Sequence, residues 1–201
     1  MRLPSLILAF VLATTVSCRP QQEIPPGIEV LHDVEYGRIG ERALHLEIAR
    51  PKNPPAKPAP AVLWIHGGGW EGGTHKQNGV LAFAGKGWFA ASVEYRLSGE
   101  AKWPAQIEDC KLAIRWLRAN AAKWNVDPNR IGVWGISAGG HLVACLGTMD
   151  ERAGFDVGAH TNFSSRVQAV VDYCGPVEFI EGVGGIVSPK EGKDSPLLVK
   201  L

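Results

Sequence analysis

The stretch that decides the fold is IGVWGISAGGHLVACLGT, residues 131–148. Its first four residues predict a short buried strand, and residues 138–148 predict a short apolar helix. Between them lies a Gly-x-Ser-x-Gly turn that carries Ser137. A sharp strand-to-helix bend needs small residues on both sides of the serine, because neighbouring backbone comes too close for Cβ atoms. A serine that only caps the helix fits the same spacing, so the motif leaves two interpretations open.

A second glycine motif follows an earlier strand. Residues 61–65 (AVLWI) are apolar at every position, which is typical of a strand buried on both faces of a parallel sheet. HGGGW follows directly at residues 66–70, and its glycines can turn backbone N–H groups toward an oxygen that develops negative charge. The spacing of residues 72–76 (GGTHK) does not fit a phosphate-binding loop. We expect His66 to be a structural hydrogen-bond partner and not a base.

Strands and helices alternate through the rest of the chain. The further extended segments are residues 28–36, 43–49, 89–95 and 167–173, and the further helical ones are 76–86 and 104–124. The first two strands predict a hairpin, and a turn at residues 127–129 is expected to end the longer helix. This order predicts a doubly wound α/β fold with a mostly parallel sheet, in one domain over residues 28–201.

The first 17 residues read as an export signal. Arg2 precedes an apolar run, residues 3–13, that is too short to span a membrane as a helix. The stretch TVSC at residues 15–18 resembles a bacterial lipobox, in which Cys18 becomes the lipidated first residue. We therefore expect a signal peptide at 1–17, a linker at 18–27, and a periplasmic or membrane-anchored lipoprotein. Ordinary cleavage and secretion without an anchor is the alternative.

Composition excludes several classes of function. The chain has 21 Lys+Arg against 20 Asp+Glu and no block of like charges, so the basic footprint of a nucleic-acid binder is missing. The histidines show no metal-ligand spacing, and we expect neither a metal nor a cofactor. Cys110, Cys145 and Cys174 are odd in number and cannot all pair, which predicts buried free thiols.

The two glycine motifs, together with YRLSGEA at 95–101 and DPNRIG at 127–132, resemble the α/β-hydrolase superfamily. The resemblance is nearest to the hormone-sensitive lipase group and, within it, to bacterial feruloyl and acetyl-xylan esterase-like proteins. It covers about residues 30–201.

That resemblance implies roles for individual residues. It makes Ser137 the nucleophile and the amides of Gly68, Gly69 and Ala138 the oxyanion hole. It also implies that Glu100 and Asp109 are ion-pair partners of Arg96, and that His141 forms a hydrogen bond inside the core.

The implied activity is hydrolysis of carboxylic esters through an acyl-enzyme. A short-acyl or feruloyl ester, either a small molecule or a plant polysaccharide ester, is the implied substrate. A peptidase of the prolyl-oligopeptidase type and an arylformamidase are alternatives within the superfamily. A different class of alternative is an exported binding protein that has this fold and no catalysis.

In this superfamily the acid and the histidine of the catalytic triad follow the serine along the chain. Downstream of Ser137, His141 lies one helical turn away on the same helix and faces away from the serine, and His160 precedes the last strand. Asp172 could serve as the acid, but no histidine follows it. We therefore expect a truncated domain that lacks the triad acid and histidine and the last strands. Such a chain would be inactive by itself and would leave an unpaired edge strand and an uncovered apolar sheet face.

Overall fold

The computed structural model describes residues 23–76 and 78–176. The predicted export signal, the lipidation position Cys18 and residues 177–201 lie outside the described residues. No helix among the described residues combines the length and the apolar character needed to cross a bilayer.

Six strands form one sheet in the described part of the chain. They are β1 (Ile28–Ile39), β2 (Arg42–Pro51), β3 (Ala59–Ile65), β4 (Phe89–Val93), β5 (Val126–Ile136) and β6 (Ala169–Tyr173). Their order across the sheet is β1-β2-β4-β3-β5-β6. The hairpin partners β1 and β2 are antiparallel, as is the β2–β4 pair, whereas β4, β3, β5 and β6 all run parallel to one another. The prediction of a mostly parallel α/β sheet is confirmed.

Four α-helices connect these strands. They are α1 (Leu81–Ala84), α2 (Ala105–Ala119), α3 (Ala121–Trp124) and α4 (Ala138–Thr148), with one-turn 3₁₀ segments at Asn78–Val80 and Glu151–Ala153. The helix predicted over residues 76–86 is therefore shorter than expected, and the one predicted over 104–124 is interrupted at Asn120.

The turn predicted at residues 127–129 is wrong, because these residues belong to β5. The helical segment ends instead at Asn125, which adopts a left-handed conformation with φ 52°. Residues 127–130 bulge out of the ladder, since β3 advances from Ala59 to Ala61 while β5 advances from Val126 to Ile131. Pro128 has no N–H to donate and fits such an irregular stretch of strand.

The two faces of the sheet are covered unequally. Helices α2 and α4 pack on one face and bury a large core that includes Leu63, Ile65 and Ile114. The short α1 covers part of the other face, over Val62 and Trp64. Beyond α1 the apolar surface of β5 and β6 is open and forms a cleft of about 580 Å³. All five residues of β6 are exposed, and β6 is the edge strand of the described sheet, as expected from the sequence.

Two of the three described cysteines are buried. Cys110 and Cys145 lie in the core as free thiols, and burial raises the pKa of Cys145 to about 11. The expectation of a buried thiol is wrong for Cys174, which is exposed because it directly follows the edge strand β6.

A buried ionic cluster holds the segment between α4 and β6 against α2. Lys111 and Arg115 are almost completely inaccessible, and both contact the carboxylate of Asp156, at 2.8 and 2.7 Å. Lys111 Nζ also donates to the hydroxyl of Ser165 at 3.0 Å. Because both cations are removed from water, this carboxylate compensates a large desolvation cost.

Candidate active site

Ser137 occupies the bend between β5 and α4. Its φ of 54° and ψ of −121° form a combination that non-glycine residues rarely adopt, and its side chain is exposed. A Cβ atom at Gly139 would lie 2.1 Å from the carbonyl oxygen of Ile65, and one at Gly135 would lie 2.3 Å from that of Gly139. Residues larger than glycine at positions 135 and 139 would therefore clash with backbone, as expected from the sequence.

Backbone hydrogen bonds hold the bend on both sides. The Ser137 N–H donates to the carbonyl of Tyr173 at the end of β6, at 2.8 Å, and the Ser137 carbonyl accepts the N–H of His141 at 3.0 Å. Ala138 is the first residue of α4 and is buried. Its N–H belongs to the first turn of the helix and has no acceptor within that helix.

The HGGGW loop lies directly against the serine. A Cβ atom at Gly67 would lie 3.2 Å from Ser137 Cβ and 2.8 Å from the carbonyl oxygen of Ile136. Gly68 and Gly69 have φ values of 118° and 61°, in the region that glycine adopts without strain. The loop can therefore pass this close to Ser137 only because residue 67 is a glycine, and its turn is open to Gly68 and Gly69 because glycine tolerates positive φ.

The carbonyl groups of Gly67 and Gly68 point into the loop itself. The Gly67 carbonyl contacts His66 Nδ1 at 2.8 Å, and the Gly68 carbonyl accepts the N–H groups of Glu71 and Gly72 at 3.1 and 3.0 Å. In a trans peptide the N–H points opposite to the preceding carbonyl. The N–H groups of Gly68 and Gly69 are therefore directed out of the loop, where they can donate to another acceptor.

His66 is part of the support of this loop. It is buried, its ring stacks on that of Tyr95 with centroids 4.3 Å apart, and the Tyr95 hydroxyl donates to the His66 carbonyl at 2.9 Å. Burial lowers the pKa of His66, so the neutral imidazole is favoured. This arrangement agrees with the structural role expected for His66.

All six histidines of the sequence lie in the described residues, where each ring is seen in contact with a group other than Ser137 Oγ. His141 Nε2 lies 3.4 Å from Cys145 Sγ, and its ring is 5.4 Å from those of Trp70 and Trp103. His160 lies in a loop against Phe163. The remaining contacts pair His32 with Glu47, His45 with Glu94, and His75 with Asp33.

Asp172 stabilises the turn that follows β6. Its Oδ1 accepts the N–H of Gly175 at 2.8 Å, and a Cβ atom at Gly140 would lie 2.2 Å from the same oxygen. The carboxylate therefore packs on the first turn of α4, beside the serine bend.

One of the two ion pairs expected for Arg96 is present. Arg96 binds Asp109 with both carboxylate oxygens and also approaches Glu108. The Glu100 expectation is wrong, because Glu100 contacts Arg42 Nε at 2.8 Å. Arg42 lies on the N-terminal hairpin and reaches Glu100 across a separation of 58 residues, which local spacing could not indicate.

A contact that the sequence analysis missed supports the far end of the glycine loop. Asp33 of β1 binds His75 and Lys76, which follow the HGGGW motif. No local pattern marks Asp33, because its partners lie more than 40 residues away along the chain. The described residues contain no cluster of three or more side chains that could hold a metal ion.

The chain is similar in sequence to several proteins that are named esterases. The chain is 37% identical over 133 residues to Esterase LipC of Mycobacterium tuberculosis, covering 65% of this chain and 33% of that protein. It is 40% identical over 98 residues to carboxylesterase NlhH of the same organism, covering 47% of this chain and 31% of the relative. The chain thus spans about a third of the length of the curated relatives it matches.

Solved structures show the same similarity. A butyrate-bound esterase, Est2, from Thermogutta terrifontis superimposes with a TM-score of 0.68 at 31% identity, covering 83% of this chain and 60% of that one. A bacterial heroin esterase gives a TM-score of 0.54 at 34% identity, covering 60% and 39%.

A match to a protein-family model covers most of the chain. The BD-FAE model matches residues 46–197, a range that contains both glycine motifs and the strands that carry them. Since this range is most of the chain and the superimposed esterases share its sheet, the chain belongs to the BD-FAE family, within the α/β-hydrolase superfamily.

Proposed function

We propose that this protein is a serine carboxylic-ester hydrolase with Ser137 as its nucleophile. The observation that carries the proposal is the contact between an exposed serine in a strained bend and a glycine loop whose amides point outward. Several of the relatives are named esterases, which supports the same class of reaction.

In the proposed reaction Ser137 Oγ attacks the carbonyl carbon of the ester, and the carbonyl oxygen becomes negatively charged. The amides of Gly68, Gly69 and Ala138 stabilise that oxygen, each by about 3 kcal/mol. The alcohol then leaves, and water hydrolyses the acyl group from the serine.

The proposal assigns neither the triad histidine nor the triad acid to residues 1–201. The contacts of the six imidazoles described above support this for the histidine, because each ring contacts a group other than Ser137 Oγ. Loss of the histidine costs a serine hydrolase on the order of a million-fold in kcat. The chain by itself should therefore be acylated slowly and should release the acyl group more slowly still.

Acetylation of Ser137 tests this function directly. The full chain is incubated with p-nitrophenyl acetate, the release of p-nitrophenolate is followed by absorbance, and the acetylated residue is located by mass spectrometry. We expect acetyl-Ser137 in the unaltered chain and none in Ser137→Ala. Release of p-nitrophenolate at the same rate from both would refute the proposal.

The same experiment discriminates between the enzyme and a non-catalytic binding protein of this fold. The binding protein is favoured by the contacts that the described imidazoles make with groups other than Ser137 Oγ. It predicts that Ser137 reacts no faster than a half-buried serine such as Ser164. Preferential acetylation of Ser137 would exclude it.

For the substrate we propose a short-acyl ester. Solved structures of the similar Est2 contain butyrate or propionate, which supports an acyl chain of this size. A feruloyl ester, or an acyl group on plant polysaccharide, is the second candidate. Competition between p-nitrophenyl butyrate and methyl ferulate for acylation of Ser137 separates the two, since the preferred ester lowers the yield from the other.

We also propose that the protein is exported and that Cys18 carries a lipid anchor. The apolar run at residues 3–13 followed by TVSC supports this. Radiolabelled palmitate should appear on the full-length protein and not on Cys18→Ala. Equal labelling of both, or of neither, would remove the anchor.

A further inference from the structure

The glycine loop is fastened at its far end to the first strand of the sheet. Residues 66–76 leave β3, pass the serine, and end beside β1. There His75 Nε2 lies 3.1 Å from Asp33 Oδ1, and Lys76 Nζ lies 2.9 Å from Asp33 Oδ2. One carboxylate therefore contacts two consecutive residues of the loop, one with each oxygen.

The backbone of β1 is shaped to present this carboxylate. The register between β1 and β2 is interrupted between Leu31 and Val34, and Asp33 has a φ of 50°. Such an irregularity redirects a side chain that would otherwise follow the alternation of the strand. A left-handed conformation is unfavourable for a non-glycine residue, so it persists here because surrounding contacts hold it.

His75 is enclosed from the other side as well. Its side chain is 7% exposed, although that of Asp33 is 46% exposed. The ring of His45 stacks on it, with centroids 6.4 Å apart, and His45 Nδ1 is itself held by Glu94 Oε2 at 2.8 Å. His75 thus has a fixed position between Asp33 of β1 and His45 of β2.

The segment between His75 and the oxyanion glycines is tightly packed. A Cβ atom at Gly73 would lie 2.3 Å from His66 Nδ1 and 2.4 Å from the Gly67 carbonyl oxygen. The Gly72 N–H donates to the Gly68 carbonyl. A displacement of His75 is therefore transmitted through Gly73 and Gly72 to the peptides that carry the Gly68 and Gly69 amides.

We propose that Asp33 is a positioning residue for ester hydrolysis: by holding His75 and Lys76 it fixes the direction of the Gly68 and Gly69 amides. The inference rests on the proposed function and adds to it a residue from the N-terminal hairpin. A loop with this many glycines has high conformational freedom, so an external contact is needed to keep two donors aimed at one oxygen. Asp33 touches neither the substrate nor Ser137.

The test compares variants of the full chain in the reaction with p-nitrophenyl acetate. In this step the Ser137 Oγ–acetyl bond forms, the ester bond to p-nitrophenolate breaks, and the serine proton passes to buffer. Asp33→Ala should lower the limiting rate constant for acetylation by about tenfold to a hundredfold and leave half-saturation unchanged. Asp33→Asn keeps one acceptor oxygen and should recover activity to within roughly threefold of the unaltered chain.

Glu35→Ala is the matched control. Glu35 lies on the same strand and forms an exposed ion pair with Arg38 at 2.6 Å, away from the loop. It should leave the rate constant unchanged. Equal rate constants for Asp33→Ala and Glu35→Ala would overturn the proposal.

Amide hydrogen exchange of residues 66–76 provides a readout that does not depend on activity. Exchange in this peptide should be faster in Asp33→Ala than in Glu35→Ala, and unchanged exchange would overturn the proposal. If Asp33→Ala does not fold, Lys76→Ala removes the exposed half of the contact and should shift both readouts in the same direction by a smaller amount. Absence of acetyl-Ser137 in the unaltered chain refutes the hydrolase, whereas the exchange data still decide the role of Asp33.

Discussion

Replacing Gly139 by alanine should separate helix α4 from β3 and displace the serine. A Cβ atom at this position would lie 2.1 Å from the Ile65 carbonyl oxygen and 2.6 Å from that of His66. Both contacts are with backbone, which cannot rotate away. The matched change on the same helix is Gly147→Ala, where the nearest atom is Val170 Cγ2, at 2.7 Å, on an exposed side chain that can move.

The distances at Gly139 set the expected size of the effects on stability and on acetylation. The new methyl group needs α4 to withdraw from β3 by roughly 1 Å, and overpacking of this kind costs about 1–3 kcal/mol. Alanine in a helix recovers up to about 1 kcal/mol relative to glycine, so we expect a net loss of about 1–2 kcal/mol. For a chain of this length that lowers Tm by roughly 2–8 °C. A displacement of about 1 Å at the nucleophile should slow acetylation of Ser137 on the order of a hundredfold.

Thermal unfolding followed by circular dichroism measures the first effect, and p-nitrophenolate release measures the second. Gly147→Ala should keep or slightly raise Tm and should leave acetylation unchanged, since helix propensity favours alanine. If Gly139→Ala and Gly147→Ala have the same Tm and the same acetylation rate, the prediction is wrong. That result would mean that α4 does not need backbone contact with β3 to hold the serine.

Three further predictions concern charge. Asp156→Ala should lower the free energy of unfolding by about 3–5 kcal/mol, because two buried cations lose their carboxylate, whereas Arg152→Ala, which breaks an exposed pair, should change it by less than about 0.5 kcal/mol; urea denaturation measures both. Burial lowers the pKa of His141 in the folded chain, so the unfolded chain takes up a proton first as the pH is lowered through about 6.5. The free energy of unfolding therefore decreases as the pH decreases, and His141→Asn should reduce that decrease between pH about 7.5 and 5.5 in the same assay. The proposed lack of a histidine base in this chain leaves hydroxide to deprotonate Ser137, so the logarithm of its acetylation rate should rise steadily with pH; a plateau above pH about 7 would reveal a histidine acting on the serine.

Local sequence rules predicted the parts of the fold that local sterics determine. The apolar run at residues 61–65 and the Gly-x-Ser-x-Gly turn each specify their own conformation, since burial on two faces and close backbone approach act within a few residues. The bounds of α4 agree with the predicted helix for the same reason. Both glycine motifs therefore lie side by side, as their order along the chain implied.

Other features depend on partners that are distant in sequence. Asp127 and Pro128 carry turn-forming chemistry, but β5 pairs with β3 on both sides of them, at Val126 and again from Ile131, so they form a bulge within the strand. Glu100 is close to Arg96 in sequence, yet Arg42 reaches it from the hairpin. Asp33 has no local signature, because its function is defined by His75 and Lys76. Such tertiary pairings override local propensity, and no pattern within a short window reveals them.

The hydrogen bond from Ser137 N–H to the Tyr173 carbonyl continues the pairing of β5 with β6 by one residue, to Ser137. That outer strand has no neighbour beyond it among the described residues. Fraying of sheets begins at their margins. Ser137 is therefore held by the outer strand of the described sheet, and a partner that pairs with β6 would stabilise the bend at Ser137 without touching the serine.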